Sequence, residues 1–152
     1  MSAPGEGPSD TLRLRPASPA DYEFARAVHC SGMRWIAERL FGWDDAAQAE
    51  KFQSQFVLAE VRIIVVDGRE VGYLQAAEEP DALLLKELHI DAPFQNRGIG
   101  TAVLQQLFAE AERMGKPVTL GVVKFNPACR LYERLGFRTV GEDAHKFYMH
   151  RN

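Results

Sequence analysis

The sequence predicts one α/β (α+β) domain, a mixed central sheet of about six to seven strands with helices on both faces. Three observations carry this prediction. Val61 to Val66 and Val71 to Ala76 are short β-branched runs joined through Asp67-Gly68, a strong hairpin signal. Leu83 to Leu107 reads as strand, basic glycine-containing loop and amphipathic helix, and Val118 to Val123 follows as a second aliphatic strand, a connection long enough for the two strands to run parallel. The chain has 152 residues, 46% of them hydrophobic, enough for one domain with a substantial core and too few for two. Hairpins before the loop and a crossover after it argue against a doubly wound dinucleotide-binding domain, whose strands alternate with helices from the start.

In chain order, Met1 to Asp10 is rich in Gly, Pro and Ser and is expected to be a disordered tail, leaving 11–152 as the domain. Thr11 to Arg15 alternates polar and apolar and reads as a half-buried first strand. Ser18 caps a helix with Pro19 at its first position and Asp21 as the acidic partner, and that helix is expected to run to about Ser31. Met33 to Phe56 carries both tryptophans, Trp35 and Trp43, together with Phe41, Phe52 and Phe56, and Asp44-Asp45 suits a second helix start. Aromatics of this kind serve either as core anchors or as the walls of a pocket.

Glu79-Pro80-Asp81 turns the chain into the strand Leu83 to Ile90. The helix after the loop carries Ile99, Val103, Leu107 and Ala111 as an apolar stripe, with Leu104 and Phe108 beside it, and ends near Gly115 before Pro117. Asn126 and Pro127 open a further helix with the stripe Ala128, Leu131 and Leu135, closed by Gly136. Phe137 to Gly141 and Lys146 to Met149 read as a final hairpin.

Bulk chemistry excludes several functions. The net charge of -3 provides no overall basic field, so nucleic acid is not an expected partner. Cys30 and Cys129 are the only cysteines and lie in different segments, which removes a disulfide framework and a Cys-x-x-Cys centre and suggests a reducing compartment. No apolar run approaches the ~20 residues that cross a bilayer, and the start has no positively charged apolar leader, so a cytoplasmic protein without a membrane partner is expected. His29, His89, His145 and His150 show no ligand spacing in sequence, so no metal is expected.

The chemistry concentrates in the loop Gln95-Asn96-Arg97-Gly98-Ile99-Gly100-Thr101. A strand-loop-helix turn aims free backbone N–H groups and the positive end of the helix dipole at one point, which suits a phosphate, and glycines let the backbone come close to it. The dinucleotide fingerprint fails at Val103, and the P-loop sequence Gly-Lys-Ser/Thr is missing. By itself the stretch fits either a phosphate cradle or an ordinary glycine-relaxed connection. Its Gln-x-x-Gly-x-Gly pattern resembles the pyrophosphate-binding motif of the GNAT superfamily of N-acetyltransferases. A second stretch, Asn126 followed by Leu131-Tyr132-Glu133-Arg134-Leu135-Gly136-Phe137, resembles the other signature of that family, with Cys129 where a smaller residue is commoner. The element order from Leu12 to Met149 is similar to the family's as well. One departure lies after the first strand of the crossover, where Ala92 stands at the family's usual proline position and the proline is at 93.

The resemblance implies acetyl-CoA as donor and co-substrate, an amine as acceptor, and direct transfer without an acyl-enzyme. It assigns backbone N–H groups of Leu88, His89 and Ile90 to the thioester and pantetheine, and Gln95, Asn96, Arg97, Gly98, Ile99, Gly100 and Thr101 to the pyrophosphate. Asn126 would bond the pantetheine arm, and Trp35, Phe41 and Trp43 would line the acceptor pocket. Such a reaction must deprotonate an amine of pKa near ~10, polarise a carbonyl and protonate a departing thiolate. Tyr132 suits the acid role. Glu87 is the first choice of base and His89 the second, since alternation puts them on one face of their strand. Each also has a plain reading: an ion pair for Glu87, a satisfied histidine for His89 and a core tyrosine for Tyr132. The competing class is a non-catalytic acyl-CoA-binding sensor or interaction module, which would lack these acid-base groups. The acceptor stays open among a peptide N-terminus, lysine, polyamine, amino acid and amino sugar, as does the choice between monomer and homodimer.

Overall fold

Asp67 and Gly68 both adopt positive φ, 53° and 78°, and turn β2 (Val61–Val66) back onto β3 (Arg69–Glu78), as the Asp-Gly pair predicts. This computed structural model describes residues 11–40 and 42–152; the tail Met1 to Asp10 and the pocket candidate Phe41 lie outside the described residues. The other strands are β1 (Leu12–Pro16), β4 (Leu83–Ile90), β5 (Val118–Val123), β6 (Arg138–Glu142) and β7 (Lys146–Arg151), and the helices are α1 (Tyr22–Leu40), α2 (Asp45–Gln55), α3 (Ile99–Met114) and α4 (Ala128–Arg134). All seven strands form one sheet in the order β1-β2-β3-β4-β5-β7-β6. Only the β4/β5 pair is parallel, so the sheet is mixed.

Alternation along the strands feeds two cores. Ile64, Leu74, Leu85, Val103, Leu104, Leu107 and Phe137 pack on the face covered by α3 and α4. Ile63, Val65 and Tyr73 pack with Ala25, Val28 and Phe52 on the face covered by α1 and α2. Ser18 N–H donates to the Asp21 carboxylate at 2.8 Å, as the capping pattern predicts, and Arg15 grips the same carboxylate with two bonds of 2.9 Å. Asp44 caps α2 by accepting from Ala47 N–H at 3.1 Å.

The structure corrects one boundary. The first helix continues past Ser31 to Leu40, through Gly32. An interior glycine costs only about 1 kcal/mol. Burial of Ala25, Val28, His29, Ile36 and Ala37 along one side of α1 outweighs it. Gly42, with φ of 79°, follows the end of the helix.

Two irregularities shape the centre of the sheet. Gln75 pairs with Glu87 but Ala76 pairs with Leu85, so Lys86 is a bulge residue. Leu83 and Leu85 before it, and Leu88 and Ile90 after it, therefore all face the α3 core, although their sequence parity differs. Without the bulge, Glu87 would point into that core. The second irregularity is a splay. β4 and β5 are paired only from Leu83/Val118 to Leu85/Leu120, while β5 stays paired with β7 through Val123. The β5-facing edge of Glu87 to Ile90 thus has no strand partner, and a cleft opens between the carboxyl ends of the two parallel strands. Among the described residues no helix is long and apolar enough to cross a membrane.

Candidate active site

The bulge aims Glu87 and His89 at α1, where they meet His29. His89 Nε2 lies 2.7 Å from Glu87 Oε1, and His29 Nδ1 lies 3.3 Å from the same oxygen and 3.0 Å from the hydroxyl of Tyr73. The side chains of His29, Glu87 and His89 are 10%, 26% and 13% exposed, so the group is mostly withdrawn from water yet not sealed. Burial works to raise the Glu87 carboxyl, but the hydrogen bonds from His29 and His89, with their charge interactions, outweigh it and hold it at about 2. An ionised carboxylate only accepts, so His89 Nε2 carries hydrogen and donates to Oε1, while His29 Nδ1 bonds with the Tyr73 hydroxyl and makes a longer contact with the same oxygen. Tyr73 is fully buried, and burial followed by the Glu87 charge pushes its phenol strongly up, so it stays neutral.

These three side chains also change the ground for expecting no metal. Spacing in sequence separates His29 from His89, yet the fold brings His29, Glu87 and His89 together with donor atoms within 4.8 Å of one another. As placed, His89 and Glu87 are joined by a hydrogen bond of 2.7 Å.

Tyr132, on α4, is buried, and its ring meets Phe137 edge-on at 5.5 Å. Its hydroxyl makes no hydrogen bond to the protein among the described residues. Burial, and then the charges of Glu87 and Cys129, push the phenol up to about 12. Cys129 points away from any nucleophilic role: burial raises its thiol, and Sγ lies 3.5 Å from the Val123 carbonyl. Asn126 caps α4 as expected, Oδ1 accepting from Ala128 N–H at 2.9 Å, which leaves its amide N–H₂ free to donate elsewhere.

The loop between β4 and α3 has the form of an anion cradle. Gly98 takes φ of 80°, and Ala102 N–H bonds to Gly98 O at 3.1 Å as the first bond of the helix. The N–H groups of Ile99, Gly100 and Thr101 thereby face outward with no capping side chain. Leu88, His89 and Ile90 lie on the unpaired edge of the splay beside it. Gln95, by contrast, commits its side-chain amide to the loop itself, donating to Ile90 O at 2.9 Å. Asn96, at φ of 62°, and Arg97, whose guanidinium lies 5.8 Å from the Phe94 ring, are exposed.

The tryptophans do not reach the Glu87 group. Trp35 is 39% exposed and meets Phe125 edge-on at 5.7 Å, while Arg34 lies over the Trp43 ring at 5.4 Å. Arg39 covers the other aromatic, Phe125, at 4.9 Å. This aromatic and cationic rim ties the end of α1 to the β5–α4 loop, next to Asn126. His29, Tyr73 and Phe125 were not singled out from sequence. His29 sits on the apolar stripe of a helix, where a histidine ordinarily reads as core, and Tyr73 falls within a plain strand pattern. A parity change among the β4 leucines was the one available sign of the bulge.

A family model for the acetyltransferase (GNAT) domain matches residues 53–139, more than half of the 152 residues. The chain belongs to the GNAT acetyltransferase family. This GNAT chain is 29% identical over 127 residues to the mouse cysteine-rich protein 2-binding protein, covering 82% of its own length and 15% of that relative's. Its fold superposes on the PaiA N-acetyltransferase of Thermoplasma acidophilum, solved in complex with coenzyme A, with a TM-score of 0.78 at 17% identity, covering 93% of this chain and 98% of that one. An acetyltransferase from Thermus thermophilus gives 0.71 at 24% identity, covering 93% and 96%. At such identities the likeness is one of fold.

Proposed function

We propose that this GNAT protein is an N-acetyltransferase that moves the acetyl group of acetyl-CoA directly to a primary amine of a small molecule or peptide. The observation that carries the reading is the splay between β4 and β5. It opens an unpaired strand edge next to the outward N–H groups of α3, with the Glu87–His89 pair on the α1 face of the sheet and Tyr132 on the face covered by α3 and α4. The α3 N-terminus receives the pyrophosphate, Asn126 holds the pantetheine arm, and Leu88 to Ile90 offer backbone N–H groups to the thioester carbonyl.

With Nε2–H on the ionised Glu87, the His89 imidazole takes the amine's proton at Nδ1, and the carboxylate stabilises the imidazolium that forms. The amine nitrogen then attacks the thioester carbon, the C–S bond breaks, and Tyr132 O–H protonates the sulfur. The phenol keeps its proton until then, and the same dry surroundings that raise it also raise the thiol it must serve. Free-thiol release from acetyl-CoA, measured across a panel of amines in the presence of a chelator, tests the reading. Coenzyme A binding without thiol release for any amine would instead support an acyl-CoA sensor.

The pair leaves a signature in the pH–rate profile. Glu87 stays ionised to about pH 2, so it sets no limb near neutrality by itself. His89→Ala is expected to remove the acidic limb. Glu87→Gln should lower kcat roughly tenfold, because the imidazole loses the carboxylate that holds its Nε2–H. Unchanged profiles for both variants would mean that free amine is simply selected from solution.

The rim carries acceptor selectivity. Trp43→Ala is expected to raise KM for the amine more than KM for acetyl-CoA, with melting temperature little changed. Equal effects on both constants, or unfolding, would return Trp43 to a structural role.

A further inference from the structure

Gly32 stands in the third turn of α1, in the middle of a helix of 19 residues. Its φ is not in the left-handed region, so the helix makes no conformational demand for glycine there, and alanine would suit the position by about 1 kcal/mol. The reason lies across the interface. A Cβ built on Gly32 would come within 2.8 Å of His89 Nδ1, closer than real Cβ atoms approach a neighbour.

The His89 ring has nowhere to retreat. Its Nε2 is held at 2.7 Å by Glu87, one face stacks on the buried Tyr73 ring at 5.5 Å, and the edge of His29 lies 5.0 Å away. Its backbone is fixed too, since His89 pairs with Tyr73 in the β3–β4 ladder. A ring pushed away from residue 32 must therefore give up part of its contact with Glu87, Tyr73 or His29.

We propose that Gly32 is a positioning residue for the Glu87–His89 pair: the missing side chain makes room for the imidazole to keep its Nε2–H on the carboxylate. The inference rests on the acetyl-transfer reading for its effect on rate, while its effect on the imidazole is independent of that reading. Helix α1 gives up propensity at this one position to seat a histidine contributed by the sheet.

Gly32→Ala tests it in two ways. In the thiol-release assay the variant is expected to lose roughly tenfold or more in kcat and to shift the acidic limb, with coenzyme A affinity unchanged and melting temperature equal or higher. In a His89→Ala background, where the ring is gone, Gly32→Ala should have no further effect on rate. Should Gly32→Ala lower the melting temperature, His89→Ala should restore it. Nitrogen NMR of the His89 imidazole gives the second readout, needs no activity, and is expected to show a changed tautomer or hydrogen-bond shift in Gly32→Ala. Full activity with an unaltered imidazole spectrum would overturn the proposal. So would an equal loss in the presence and absence of the His89 ring. Absence of thiol release in the wild type, with the imidazole shift intact, would overturn the acetyl-transfer reading and leave the positioning role standing.

Discussion

Gly100→Val is expected to abolish coenzyme A binding in a protein that still folds. The position is already helical, in the first turn of α3, and a Cβ there meets only Leu131 Cδ2, at the ordinary contact distance of 3.8 Å. Valine is no worse a helix former than glycine, so helix propensity does not oppose it. What the side chain would fill is space in front of the outward N–H groups, where a pyrophosphate has to approach the backbone. Titration calorimetry should show at least a hundredfold loss of affinity at an unchanged melting temperature. Gly98→Val is the less informative variant, because φ of 80° makes any side chain there strained whether or not a ligand binds. Unaltered affinity in Gly100→Val would remove the cradle from the mechanism.

Tyr132→Phe should lower kcat by roughly 10²-fold or more with acetyl-CoA affinity and stability little changed. Phenylalanine keeps the edge-on contact with Phe137 at 5.5 Å. Since the hydroxyl bonds no protein group among the described residues, its removal strands no buried partner, and the usual cost of deleting a buried hydrogen bond does not arise. A phenol pushed up to about 12 also imposes no alkaline limb of its own below about pH 10, so any limb seen there should persist in the variant. Normal turnover would make Tyr132 a core residue, as would a loss of activity in step with a loss of stability.

The elements were legible because their signals are local. Asp67-Gly68 can take two successive positive φ angles, Gly115 can close α3 in the left-handed conformation, and Asp44 can cap α2; each depends on residues within a turn of one another. The strand-loop-helix turn was legible for the same reason, as seven consecutive residues carry its loop. The end of α1 was less legible on this scale: the helix expected to stop near Ser31 continues to Leu40, because the side chains it buries belong to a packing face that local signals do not show.

What only the tertiary structure decided lies in relations across the sheet. The insertion of β7 between β5 and β6 follows from no local pattern, and the splay of β4 from β5 is a property of two strands more than thirty positions apart. The candidate base is the clearest case. By itself the sequence placed Glu87 and His89 on one face of a strand, correctly, because alternation is a property of a single backbone. Which face that was, and what waited there, depended on the bulge at Lys86 and on the arrival of His29 from α1. The electrostatic state of Glu87 depends on both, because a carboxylate withdrawn from water stays ionised only when donors from elsewhere in the fold replace the water.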